Sequence, residues 1–517
     1  MWTRKSAVLA GVALLAATLQ APHAVARGAG LPLGPADLPE TRSVQTLQPG
    51  VTLTTIVRGA ADPATTWTVE VAIPGGSGSP DPDTPPTALA DRAHADALAD
   101  SLTAAGFAPR VEEVVTPRVA DFAGGVLGFR VRVGDFPVKA DADAERAAIR
   151  AAKFSASTVF TGWDGERADR GPWEVRVLTI DPRRFRGDLV GDFGPDLELR
   201  ETTSALAAAR GATAAVNAGF FVLDPAAGAP GDPAGVGVYA DRLLSEATNG
   251  RPAFVFSADG EDAGVARHTW TGTVRSGHRV LGLDGVNRVP GLIRNCGGVG
   301  DRPTDRPLHD TTCTDPDEAV LFTSDYGVAT PAGPGVELVV DDKNRVTDVR
   351  EPRGGPLAPG SRAIQGTGDK ADILRTFGSR LTITSTLRGT TGDYVLNGGP
   401  ELVRDGRQHA TPATDGMVRP NDPSFYYGWV HKRNPRTIAG VDRQGRVLLA
   451  TIDGRSTTSL GLSIAESAAV AQALGMRDAI NLDGGGSTTM VANDQVINKP
   501  SDAAGERPVG DAILILP

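Results

Sequence analysis

NLDGGGSTTM, residues 481–490, runs from the end of an apolar stretch into three glycines and three hydroxyl residues. Asp483 precedes Gly484, Gly485 and Gly486; Ser487, Thr488 and Thr489 follow them. A tight turn is made with one or two glycines. Three in a row let another group approach the backbone closely. Four other stretches have the same make-up: VNAGFF (216–221), LNGGP (396–400), NPRTIAGVD (434–442) and TIDGRS (451–456). Each joins a strand-like apolar run to a turn in which Gly stands beside Asn, Asp or Arg. Any one of them is an ordinary turn. Five in one region predict strand ends that converge on a pocket.

The surrounding chain reads as strand-rich. Short apolar runs, among them Trp173 to Ile180, Ala214 to Asn217, Ala319 to Thr323, Val336 to Val340 and Arg446 to Ile452, are separated by Gly, Pro, Asp or Asn. Helix is expected at Ser204 to Arg210 and at Ser463 to Leu474, where Ser463 and Glu466 form a capping box. Residues 173–517 are therefore expected to form one α+β domain. The 63 glycines and 38 prolines make up about a fifth of the 517 residues, below the roughly 25–30% of a low-complexity chain, so a folded protein with many turns is implied.

Residues 67–165 follow a different rhythm. Trp67 to Ala72 and Val126 to Val133 alternate as half-buried strands, and Ala88 to Ala105 and Ala142 to Ala152 have helical composition. The expected order is β-α-β-β-α-β, interrupted by a Pro/Gly/Ser-rich loop at 74–87.

The first 26 residues read as a signal peptide: Arg4 and Lys5, an apolar run from Ala7 to Ala17 too short to span a bilayer, then Ala24-Val25-Ala26. Residues 27–66 are left as an N-terminal segment. Removal of the leader takes the formal charge from −10 to −12, which argues against nucleic acid as a partner. No later run is long enough to span a membrane, so a secreted or wall-associated protein is expected. Cys296 and Cys313 are the only cysteines and in an exported chain pair as a disulfide around a polar loop. A metal site built from both thiols and His309 is a poor alternative, because the set is incomplete.

The five turns suit an anionic sugar ligand. The N–H groups of Gly484, Gly485 and Gly486 are candidates for an anion-binding concavity, with Ser487 and Thr488 adding hydroxyl donors. Arg436 and Arg455 are candidates to grip phosphate, with Thr437 beside them. Asp483 and Asp453 are the candidate catalytic carboxylates. Asn217 with Gly219, and Asn397 with Gly398, are candidates to bond sugar hydroxyls or developing charge. His431 is a candidate proton shuttle. A Walker loop is excluded because no Lys follows the glycines, and there is no G-x-S-x-G elbow. No cofactor is required; a divalent cation such as Ca²⁺ on Asp483 is the open alternative.

VNAGFF, LNGGP, PRTIAGVD, DGR and NLDGGGSTTM, in this order, resemble the phosphodiester glycosidase family, as do LDGVNRV (283–289) and the closing NKPSD and ERPV stretches. The resemblance covers about 173–517. It implies hydrolysis of a sugar-1-phosphodiester at the glycosidic C1–O bond, with the cysteine-bounded insertion at about 293–316 as a departure. GFRVRVGDFPVKADADAERAAIRA (128–151) resembles a SPOR domain, which implies binding of peptidoglycan glycan strands. The chain is thus expected to be an exported glycosidase with a SPOR-like module. A non-catalytic wall or exopolysaccharide binding protein of the same fold is the alternative.

Overall fold

Val51–Arg58, VTLTTIVR, alternates buried and half-buried residues and lies antiparallel to Trp173–Ile180, with Val51 opposite Ile180 and Arg58 opposite Trp173. That pairing corrects the expected domain boundaries. The N-terminal segment is part of the catalytic fold, and the small domain is an insertion between two neighbouring strands of one sheet. The computed structural model describes residues 30–74 and 87–517, apart from 249, 299, 305, 420 and 421. The leader at 1–26 and most of the Pro/Gly/Ser-rich loop lie outside the described residues.

The sheet has eight strands. From one edge they are Glu40–Gln48, Val51–Arg58, Trp173–Ile180, Val447–Ile452, Arg436–Asp442, Met476–Asn481, Glu401–Arg404 and Arg407–Gln408. Arg436–Asp442 is central and buried along its whole length. A five-stranded sheet packs against it, with Ala214–Asn217 flanked by Met490–Ala492 and Ala512–Ile515. Leu178, Leu449 and Ile480 of the first sheet share a core with Val216, Met490 and Ile513 of the second. A third sheet contains Tyr394–Asn397, and further small sheets form from residues 269–388. The strand ends bearing the five turns thus come from three sheets.

The expected helices occur as Thr203–Arg210, ended by left-handed Gly211, and Ile464–Ala473, where both halves of the Ser463–Glu466 capping box form. Sequence reading missed Pro423–Tyr426 and the π-helical turn Tyr427–His431 that continues it. Cys296 and Cys313 are bonded. Among the described residues no helix is long and apolar enough to cross a membrane.

In the inserted region the elements run Trp67–Val71, Arg92–Ala104, Pro109–Thr116, Gly125–Phe136, Lys139–Ala151 and Ala156–Phe160, alternating strand, helix, strand, strand, helix and strand. Both helices cover one face of the four-stranded sheet. Val69, Val71, Val131 and Val133 meet Ala95, Leu98, Leu102 and Ile149 there. Because side chains alternate along a strand, Thr68, Glu70, Arg130 and Arg132 fall on the other face.

Candidate active site

The 481–490 turn leaves the end of Met476–Asn481, beside Arg436–Asp442. Leu482 donates its N–H to the Thr437 carbonyl, and Asp483 donates its own to the Ala218 carbonyl. The turn is therefore tied to two other turns at once. Two of the three glycine N–H groups expected to cradle an anion are taken up within the fold. The Gly484 N–H goes to the Asp483 carboxylate at 2.9 Å. The Gly485, Ser487 and Thr488 N–H groups go to the carbonyls of Pro435, Gly484 and Gly485. The glycines have steric reasons instead. Gly485 has φ +61°, and a Cβ on Gly486 would lie 2.2 Å from Nη2 of Arg507 and 2.3 Å from Oδ1 of Asp502. The close visitor is the chain's own Arg507–Asp502 ion pair, 2.7 Å apart.

The two asparagines also turn inward. Asn217 donates Nδ2 to the Asp483 carbonyl at 2.7 Å; its Oδ1 accepts from the Thr437 hydroxyl at 2.7 Å and the Thr489 N–H at 3.1 Å. Asn397 accepts from the Phe220 N–H at 2.9 Å and donates to the Phe220 carbonyl at 3.1 Å. Gly219 donates to Asp511 at 2.6 Å, and a Cβ on it would meet Nδ2 of Asn397 at 2.7 Å. A Cβ on Gly398 would meet the Asn481 carbonyl at 2.8 Å. These four residues, with Thr437, fasten the turns to one another. Asp511 has its carboxyl pushed up to about 6 by burial, against its bonds from Tyr239 and Gly219.

Two of the five turns reach a cleft, through Phe220 and Phe221 and through Asp483; Leu223, Arg294, Asn295, His309, Asp310, Trp429 and Arg507 complete its lining. Its volume is about 40 Å³, room for a few waters. Four lining residues come from the segment around the disulfide, so the insertion builds one wall. Asn295 accepts the Asp310 N–H at 2.7 Å and holds that wall in shape. His309 is buried, with Phe220 edge-on at 4.5 Å and Trp429 at 5.7 Å. Burial first, then the charges of Arg251, Arg294, Arg419 and Arg436, hold its imidazole well below its ordinary range. The cleft therefore holds a neutral imidazole together with the guanidinium groups of Arg294 and Arg507.

Arg436 is buried and donates to the Leu462 and Trp429 carbonyls, each at 2.9 Å. Burial, then the neighbouring Arg455, lower it to about 9, so it remains a cation at neutral pH. It shapes the field from behind the Trp429 wall. Arg455 has φ +52°, bonds Asn434 at 3.2 Å and lies against Gly485. The Ser487 and Thr488 hydroxyls are buried without a protein hydrogen-bond partner among the described residues.

Two expected site residues belong elsewhere. Asp453 is ion-paired to Arg176 at 2.8 Å and accepts from Asn498 and from the Lys499 N–H at 3.2 and 3.1 Å. Its carboxylate is enclosed by these donors and does not line the cleft. Asp310 is the second carboxylate there, ion-paired to Arg294. His431 lies 2.6 Å from Glu166 and 3.3 Å from Thr116 of the inserted region, away from the cleft. Among the described residues no group of three or more His, Cys, Asp or Glu is placed to hold a metal, and Arg294 and Arg507 share the cleft.

The profile of the phosphodiester glycosidase family matches residues 334–516, and that of the SPOR domain matches residues 87–160. Residues 334–516 are thus a phosphodiester glycosidase domain and residues 87–160 a SPOR domain. It is similar to the N-acetylglucosamine-1-phosphodiester alpha-N-acetylglucosaminidases of Mus musculus, 40% identical over 109 residues, and Homo sapiens, 39% over 110. Each match covers 21% of this chain and 21% of the relative, so the chain spans about a fifth of the length of these relatives. A crystal structure of a Burkholderia pseudomallei K96243 protein, described only as a candidate for export, is 34% identical with a TM-score of 0.85, covering 95% of this chain and 99% of that one. A Synechocystis protein of unstated function, 17% identical over 92% of this chain and 75% of its own, shares the fold at a TM-score of 0.52.

Proposed function

We propose that the protein hydrolyses a sugar-1-phosphodiester at the glycosidic C1–O bond. The observation that carries this reading is the placing of Asp483 in one cleft with His309 and guanidinium groups. Phosphate is the leaving group. Arg294 and Arg507, on the cleft wall, bond its oxygens as charge develops on them. Departure of phosphate leaves positive charge at the anomeric carbon, which the Asp483 carboxylate meets as nucleophile or as base to water. Water supplies hydroxide to C1 and a proton to solvent, giving a free sugar and a phosphomonoester. Phe220 and Trp429 supply apolar walls for the sugar ring.

The leader-like segment at 1–26 supports export, which makes envelope or extracellular polysaccharide the substrate class. The test is product analysis after incubating the purified chain with sugar-1-phosphodiesters. Free sugar plus phosphomonoester on the aglycone supports the reading. Sugar phosphate plus free aglycone assigns cleavage to the other side of phosphorus. Binding without turnover on every substrate assigns a lectin-like role.

A further inference from the structure

The helix-free face of the SPOR sheet is covered by the catalytic fold. Its charged side chains are Glu70, Arg110, Glu112, Arg130 and Arg132, with Arg110, on the outer strand, bonded to Glu112 and Thr68. Arg132 pairs with Glu70 at 2.8 Å and Asp164 at 2.6 Å; Arg130 pairs with Glu112 and Glu166, both at 2.8 Å. The set is completed from the other side. The Tyr427 hydroxyl accepts from Arg130 at 2.9 Å and donates to Glu70 at 2.9 Å. Lys432 reaches Glu70 at 2.9 Å, and His431 reaches Glu166 at 2.6 Å. Arg132 and Tyr427 are each about 1% exposed. Backbones touch as well: a Cβ on Gly165 would lie 1.9 Å from the His431 carbonyl. Ser424 clasps the N–H and carbonyl of Leu89 at 2.9 and 3.2 Å. Buried charges of this kind are tolerated only when every partner is present.

The segment held in this way is the one that walls the cleft. Tyr427 and His431 begin and end a π-helical turn, a local distortion that recurs at functional sites. Trp429 lies between them and faces His309, and its carbonyl takes Arg436. Phe425, one turn earlier, also meets His309, at 6.4 Å.

We propose that the SPOR domain of this protein is an intramolecular positioning element. Its sheet face is closed to glycan and instead fixes the Tyr427–His431 turn, so that Trp429 and Arg436 hold the cleft in its working shape. This rests on the cleft being the active site. Tyr427, Glu166 and Arg132 are positioning residues that act through Trp429.

The test is a double-mutant cycle in the full chain with Tyr427→Phe and Trp429→Phe, repeated with Glu166→Gln as the milder change. Tyr427→Phe is expected to lower kcat/KM about tenfold in the wild-type background, and to change it less than twofold when Trp429 is already Phe. Losses that multiply in the double variant overturn the proposal. If the wild-type chain turns over no phosphodiester, the same cycle is read in its affinity for inorganic phosphate by calorimetry, with the same two outcomes. Sedimentation with glycan strands lacking stem peptides is measured in parallel. The wild-type chain is expected to stay in the supernatant, and co-sedimentation overturns the proposal whatever the activity result.

Discussion

Asn217 gives its side-chain amide to the Asp483 carbonyl across 2.7 Å, joining turns at the ends of strands from two different sheets. The same side chain takes the Thr437 hydroxyl and the Thr489 N–H. One buried amide thus sets the position of the candidate catalytic carboxylate. Asn217→Ala strands two donors and one acceptor, each costing about 1–3 kcal/mol when buried. Turnover is expected to fall by about a hundredfold, with a lowered urea midpoint. Unchanged turnover in a folded Asn217→Ala protein would remove Asp483 from the chemistry.

Asp483→Asn and Asp453→Asn are expected to part company. The first should lower kcat by about a thousandfold or more. The second leaves Arg176 with only the partly exposed Glu174, at 3.0 Å, as counter-charge and should cost about 1–3 kcal/mol of stability. Urea unfolding and product release, measured on both, check the assignment. The reverse pattern would restore Asp453 as the acting carboxylate.

Gly486→Ala forces a Cβ to within 2.2 Å of Arg507. Relief requires Arg507 or Asp502 to move, at about 1–3 kcal/mol. Because Arg507 lines the cleft, affinity for inorganic phosphate should weaken together with stability. Calorimetry showing wild-type phosphate affinity would remove Arg507 from the phosphate site.

The imidazole of His309 is held neutral by burial and by surrounding arginines. The pH profile of kcat/KM should therefore show no inflection near 6.5. A limb there that disappears in His309→Gln would show that the ring titrates normally.

The joint between the domains has its own pH dependence. Burial alone would raise the Glu166 carboxyl, but the His431 hydrogen bond and the Arg130 charge outweigh it and hold it at about 2. The unfolded value is 4.5, so the stabilisation is complete above pH 4.5 and is lost as pH falls toward 2. It amounts to about 3 kcal/mol at most. Acid unfolding of Glu166→Gln should show a shallower slope over that window; an identical slope would place the loss in other groups.

What the sequence showed was set by range. Trp173–Ile180 and Ala214–Asn217 were legible to the residue because alternation and flanking turns are local signals. Asp483 was legible because carboxylate, glycines and hydroxyls stand in one run. Asp453 was misread for the same reason: nothing near TIDGRS announces that Arg176, far back in the chain, faces it. His309 was noticed only beside its cysteines, because a polar loop gives no sign of which wall it will build. The Glu40–Gln48 and Val51–Arg58 strands had no visible role, since their partner lies beyond the whole SPOR domain.

Arg58 and Trp173 face each other across the ladder. The SPOR domain therefore enters and leaves the catalytic sheet at a single point, in the place of a hairpin loop. Such a module can be gained by one insertion without disturbing a strand register. Removing it is not the reverse operation. A chain closed directly from Arg58 to Trp173 would keep its sheet but leave Tyr427, His431 and Lys432 facing water. A recombinant piece beginning at Trp173 would instead open a bare edge along Trp173–Ile180, inviting other chains to pair with it. The sheet and the joint therefore depend on one another, and a recombinant unit of this fold has to begin ahead of its SPOR domain, at the strands that pair with Trp173–Ile180.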